Sequence, residues 1–280
     1  MPEKDDRSGK PERSAIARGL PRAVGGALIF SLPMLMTMEL WWLGFYLDRF
    51  RLTLLLVITI PLLVFLSRHS GFERTLRLRD DLRDAFIAYG IGILTSLVIL
   101  VVFGLLTVAM PLDEIAGKVA IQAVPASIGA LLGRSQLGGD RSRASRKSEE
   151  RNYFSELFLM GVGALFLSLN MAPTEEMILI SYKMTEWHGI ALVLLSILLM
   201  HGFVFAMQFK NEPSLPEGTP WWSAFARFTL TGYVLALLIS LFILWIFGRT
   251  DGLALAPMVM AVIVLGFPAA IGAAAARLIV

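Results

Sequence analysis

Two glutamates stand in matching settings, half a chain apart. Glu39 lies in SLPMLMTMEL (31–40) and Glu176 in SLNMAPTEEM (168–177); at an offset of 137, Ser31/Ser168, Leu32/Leu169, Met34/Met171, Thr37/Thr174 and Glu39/Glu176 coincide. Their surroundings are strongly apolar, where an ionisable side chain is costly and tends to mark a functional site. Two carboxylates brought within a few ångströms of each other share a proton or bind a cation, because each disfavours the other's charge. Oxygen ligands suit hard cations, so Ca2+, Mg2+, Na+ or H+ are the expected occupants, and spacing does not choose among them. Thr37 and Thr174 sit two residues before the acids and offer further oxygens.

Prolines accompany both acids. Pro33 precedes Glu39 and Pro173 precedes Glu176; in a membrane helix each frees a backbone carbonyl one turn back, which then needs a partner. Within APTEE, Pro173 can begin a half-helix with Glu175 as a first-turn carboxylate favoured by the helix dipole. Glu175 is matched in the first half by Met38 and points about 100° from Glu176, so the two do not face one ligand equally. His201, in LLMHGF, is a secondary candidate, as a proton relay or a packed polar partner. Neither a phosphate loop nor an HExxH metal motif is present.

The elements that must position these groups are membrane helices. With 56% hydrophobic residues and a mean hydropathy of +0.69, the chain is too apolar for one soluble core. Apolar runs near twenty residues recur along it, as transmembrane helices require. Eight are expected, over roughly 23–46, 52–67, 85–109, 113–133, 154–181, 188–208, 224–248 and 254–278. The fold class is therefore all-α, a polytopic membrane protein. A net charge of +3 gives no broad footprint for nucleic acid, and the absence of cysteine excludes disulfides and thiolate metal sites.

Charge sets the expected orientation. Twenty of the 25 Lys and Arg fall on one side of the eight-span scheme, in 1–22, 68–83, 134–151 and at Lys210, Arg227 and Arg277. The other side carries only Arg49, Arg51, Lys118, Lys183 and Arg249. The positive-inside rule then predicts both termini inside, and a cytoplasmic membrane is the expected location. Trp41, Trp42, Tyr46, Tyr182 and Trp187 fall near the outer face, where an aromatic belt belongs. By helix rise, Glu39 lies about 13 Å and Glu176 about 10 Å from the outer helix ends.

The halves read as copies. VPASIGALLGR (124–134) aligns with FPAAIGAAAAR (267–277) at an offset of 143, and Phe103–Gly104 matches Phe247–Gly248 at 144. Ordered matches at a nearly constant offset indicate an internal duplication of four helices. Four is even, so the repeats are expected to be parallel, about a pseudo-two-fold axis along the membrane normal that would bring Glu39 and Glu176 face to face. The expected organisation is a disordered cytosolic tail (1–20), repeat 1 (21–134), a basic Gly/Ser/Arg-rich linker (135–152) and repeat 2 (153–280). Gly129, Gly133, Gly272 and Ala276 are read as close-packing surfaces, since small residues let helices approach in lipid.

SLPMLMTMELWW followed by APTEEM resembles a bacterial family of integral membrane proteins of unknown function, over roughly 21–280; the likeness implies the membrane fold and no activity. APTEEMILI also looks like the first motif of the glutamic intramembrane (CAAX-protease-like) proteases, in which paired glutamates activate water. That motif carries an arginine after three intervening residues, where this chain has Ile180; it also needs a phenylalanine four before a histidine, where Ile197 precedes His201. Three readings follow: a cation channel or transporter acting through Glu39 and Glu176, a hydrolase using Glu175, Glu176 and His201, or a non-catalytic scaffold or partner subunit. The expected partners are lipid and a small inorganic cation, and a homo-oligomer is admitted.

Overall fold

The structure, a computed structural model, describes residues 10–70, 78–136, 153–208 and 225–279, with side chains described for 19–68, 78–133, 153–203 and 225–276. Every regular element among them is helical: α1 (Lys10–Leu35), α2 (Met38–Tyr46), α3 (Arg49–Ser70), α4 (Leu78–Val102), α5 (Leu112–Gln136), α6 (Tyr153–Met171), α7 (Glu175–Lys183), α8 (Glu186–Gln208), a π-helical turn (Phe225–Leu230) leading into α9 (Thr231–Ile246), and α10 (Leu255–Ile279). Among the described residues, seven helices are long and apolar enough to cross a membrane, or eight if the bent pair of α1 and α2 counts as one span. The helix α1 begins inside the stretch expected to be an irregular tail; KPERSAIAR places Pro in the first turn and good helix formers after it. The basic linker and the side chains of Arg134 and Arg277 lie outside the described residues.

The sequence offsets reappear in the element boundaries. The helices α2 and α7 are both nine residues long, shifted by 137, and α3 and α8 begin at the same shift. The bounds of α5 and α10 differ by 143 at both ends. The turns after α4 and α9 each place a glycine at φ 70°, Gly104 and Gly248. Each closes the helix with a pair of backwrapped amide bonds: Gly104 to Val101 and Leu105 to Leu100, Gly248 to Trp245 and Arg249 to Leu244.

Two expected spans are broken. The stretch 23–46 is interrupted at Met36–Thr37, where the chain bends by 88°, and 154–181 is interrupted at Ala172–Thr174. In the second case Pro173 disfavours helix at Ala172; the new helix begins not at Pro173, as its sequence position suggested, but two residues later at Glu175, after the cap Thr174. In the first, Pro33 remains inside α1, and the break comes after it. The Gln122 amide donates to the Ser31 carbonyl at 2.8 Å, at the head of the last turn of α1. Both short helices start from an extended threonine, Thr37 (ψ 129°) and Thr174 (ψ 140°). The depths estimated for the glutamates assumed unbroken helices, so they no longer apply: both acids lie in the first turn of separate short helices.

By contact, the described residues of Met1–Leu35 and Leu56–Gly139 form one compact unit, and those of Met36–Leu55 and Asp140–Val280 a second. In the first, α5 packs on α1 and α4. Gly26 and Gly129 meet backbone to backbone: a Cβ on either would overlap the carbonyl oxygen of the other, and Gly133 lies against Gly26 in the same seam. The second unit repeats the device at α6 and α10, where Gly163 and Gly272 exclude a Cβ in the same way, and Ala276 touches Gly163. The packing role expected of these small residues is thus observed. Around the second crossing, Met160, Met200, Tyr233, Ala236 and Ala269 form a buried cluster.

The glycine crossings predict a contrast. Gly26→Ala and Gly163→Ala are each expected to cost about 1–3 kcal/mol, as overpacking does. Gly90→Ala, in open space on α4, should be neutral or stabilising by up to about 1 kcal/mol. Thermal unfolding in detergent checks all three; equal effects at the three sites would contradict the packing account.

Candidate functional site

The site is built where α7 begins. An α-helix starts with amide groups that have no partner inside the helix, and carries a partial positive charge there. Thr174, at the N-cap, does not supply the usual side-chain acceptor, because its hydroxyl donates back to the Met171 carbonyl at 2.8 Å. The vacant place is filled from elsewhere: Glu39 Oε1 accepts the amide of Glu175 at 3.3 Å, across 136 residues of sequence. Glu39 is half-buried, whereas Glu175 and Glu176 are exposed. The Glu176 carboxylate meets no partner among the described residues.

Three arginines brace this region within the same unit. The Arg249 guanidinium donates to the Pro173 carbonyl, in the break before α7. Arg51 grips Asp251 with both terminal nitrogens at 2.8 Å, donates to the Trp245 carbonyl at 2.9 Å, and lies 5.0 Å from the Trp245 ring centroid. Arg49 reaches the Gly44 carbonyl at 3.3 Å. A planar guanidinium that is bidentate on a carboxylate and stacked on an aromatic ring is a rigid fastener. A small cleft beside it, lined in part by Tyr46, Asp48 and Gly248, measures about 120 Å3, room for a few water molecules. The positioning of Arg51 begins locally: Asp48 caps α3 by accepting the Arg51 amide at 3.0 Å. The matched cap on α8 uses Thr185 and His188, whose Nδ1 faces the Thr185 hydroxyl at 2.7 Å.

A family model described as "Putative integral membrane protein (DUF2391)" matches residues 19–280. The chain belongs to that family. It is thus an integral, multi-pass membrane protein in contact with lipid, as are the other DUF2391 proteins by description. None of the curated proteins and none of the solved structures matches it.

The expected site residues can now be placed in this DUF2391 chain. Glu39, Thr174 and Glu175 come together at the start of α7, with Glu176 in the same first turn. Thr37 caps α2 by backbone position and makes no side-chain cap bond. Pro173 contributes its carbonyl; Pro33 lies within α1, in the other unit. His201 is elsewhere. It sits about 22 Å along α8 from Glu186 by helix rise, with Nδ1 3.1 Å from the Thr229 hydroxyl and its ring edge-on to Phe225 at 5.2 Å. Among the described residues, no three His, Asp or Glu side chains gather as a metal ion would require.

The braces Arg51, Asp251 and Arg249 were missed as site residues. The signal available was the scarcity of such arginines on a side with few cations, and it pointed only to topology. Lys118, placed by the charge count in an outer loop, is instead buried in the second turn of α5 and pairs with Glu114 at 2.6 Å.

Capping by Glu39 carries an expected cost. Glu39→Ala should destabilise the protein by about 1 kcal/mol, the usual worth of a cap, and Glu39→Gln by less, because its carbonyl oxygen can still accept. Chemical or thermal unfolding of both variants checks the order; a reversed order would exclude the cap.

Proposed function

We propose that this protein moves a small cation across a bacterial cytoplasmic membrane, as a channel or carrier, with Glu39, Glu175 and Glu176 as the acids that handle it near the outer face. The reading keeps the parallel duplication inferred from sequence. One observation carries it: the carboxylate from the first break docks on the amide that opens the second short helix. Acids 136 residues apart in sequence thereby belong to one site, beside interrupted helices of the kind from which transporters assemble ion sites. Pro173, Thr174 and the glutamates supply oxygens there.

A proton or a monovalent ion suits this arrangement best. Ca2+ takes six to eight oxygens, several from carboxylates, and here one carboxylate is already committed to an amide. Among the described residues, the hydrolase alternative lacks a histidine at the glutamates, since His201 bonds to Thr229 at the far end of α8. A scaffold in which Glu39 serves only as a cap is the remaining competitor.

Flux in proteoliposomes separates these. For H+, Na+, K+, Mg2+ and Ca2+ in turn, a cation path predicts that Glu39→Gln and Glu176→Gln each lower the flux of one ion at least about tenfold, the effect of about 1.4 kcal/mol on a barrier, while the protein stays folded. A scaffold predicts no flux from wild type. Peptide hydrolysis by the wild type that is lost in Glu175→Gln and His201→Ala but kept in Glu39→Gln would favour hydrolase chemistry instead.

A further inference from the structure

The first unit contains a second set of polar groups that the glutamate site does not use. On α5, Glu114, Lys118 and Gln122 recur at four-residue spacing and so share one face, covering about 12 Å of helix. Lys118 is 5% exposed; its ammonium reaches the Glu114 carboxylate at 2.6 Å, the Leu105 carbonyl at 3.4 Å and the Met110 sulfur at 3.6 Å. Below it, Gln122 is fully buried: its amide nitrogen donates to the Ser31 carbonyl, but its Oε1 meets no partner. Ser96 on α4 is equally buried and its hydroxyl is equally unpaired. Gly92 rests against Ser127 and Ala123, and α4 and α5 run antiparallel, so one turn beyond Gly92 brings Ser96 opposite the turn that carries Gln122.

Matched positions in the second unit are apolar. At the offset of 143, Glu114, Lys118, Gln122 and Ser127 correspond to Pro257, Ala261, Leu265 and Ala270. Ser240, the counterpart of Ser96, is satisfied by the Ala236 carbonyl at 2.8 Å. The face of α5 that carries these groups is thus polar where the matched face of α10 is apolar, and a buried acceptor and a buried hydroxyl are left over beside it. Buried polar groups of this kind are normally completed by water.

We propose that the Glu114–Lys118–Gln122 face of α5 lines a water-filled inlet in the first unit, whose ligand is water held between Gln122 Oε1 and Ser96 Oγ. Glu114, the most exposed of the three side chains at 19%, forms its mouth, and Lys118 ties the 103–111 turn across it. The inlet uses none of the residues of the glutamate site, and its test reads hydration rather than flux.

The chain has no cysteine, so a single introduced thiol reports without background. Ser→Cys is nearly isosteric, and thiolates react with silver ion or small methanethiosulfonates where water reaches them. Ser96→Cys is expected to react at least tenfold faster than Ser240→Cys in bilayers. Gln122→Leu, which copies Leu265, should return the Ser96→Cys rate to that of Ser240→Cys. Equal rates for the two cysteines, or a rate indifferent to Gln122→Leu, would overturn the inlet. If Ser96→Cys does not fold, Lys118→Cys on the inlet face against the matched Ala261→Cys gives the same comparison.

Discussion

The structure rests on two places where helices touch without side chains between them. In lipid there is no hydrophobic gain in bringing one apolar helix against another, so association depends on close packing and on polar contacts. Gly26 against Gly129, and Gly163 against Gly272, give the closest approach a backbone permits. The first crossing joins α1 to α5, and the second joins α6 to α10. In the first unit α4 then packs on α5, and in the second α7, α8 and α9 pack on α10. The breaks follow from the same arrangement. In the first unit, α5 brings Gln122 to the end of α1; in the second, α10 touches both α6 and the short α7 that follows it.

The two units carry these crossings alike but differ in polar residues at matched sequence offsets. Leu105 in one is Arg249 in the other, and the arginine reaches the Pro173 carbonyl exposed by the break. Thr107 in one is Asp251 in the other, and the aspartate receives Arg51. These exchanges attach the segment 36–55 to the second unit, and they carry Glu39 to the start of α7. The acid then stands where a helix terminus favours negative charge, with an arginine bonded to the carbonyl just before it. The result is a polar patch of fixed charges and dipoles beside interrupted helices, which is the physical basis of the proposed ion handling.

Much of this was legible in the sequence. Apolar runs located the long helices to within several residues, and the two blocks of matching residues identified the register that the element boundaries repeat. Small residues in VPASIGALLGR and FPAAIGAAAAR pointed to close contact, which the glycine seams bear out. Less was legible where a distant residue decides local structure. Pro33 suggested a disruption, but the helix continues through it and stops only after the turn that Gln122 contacts. Pro173 was a better guide, because proline acts directly on the residue before it. Nothing local marks residues 36–55 as part of the second unit, since Arg51 and its partner Asp251 are 200 residues apart. Lys118 was assigned to a loop because a charge near a helix end usually is; Glu114, one turn earlier, allows it to be buried.

The central claim is that Glu39 meets the first turn of α7. The measurement closest to it is cross-linking of Glu39→Cys with Glu175→Cys by a short bis-maleimide in bilayers, read as a mobility shift after cleavage within 137–152. Efficient linkage of the two fragments is the predicted result. Two cysteines that each react singly in folded protein, yet never link, would contradict the account.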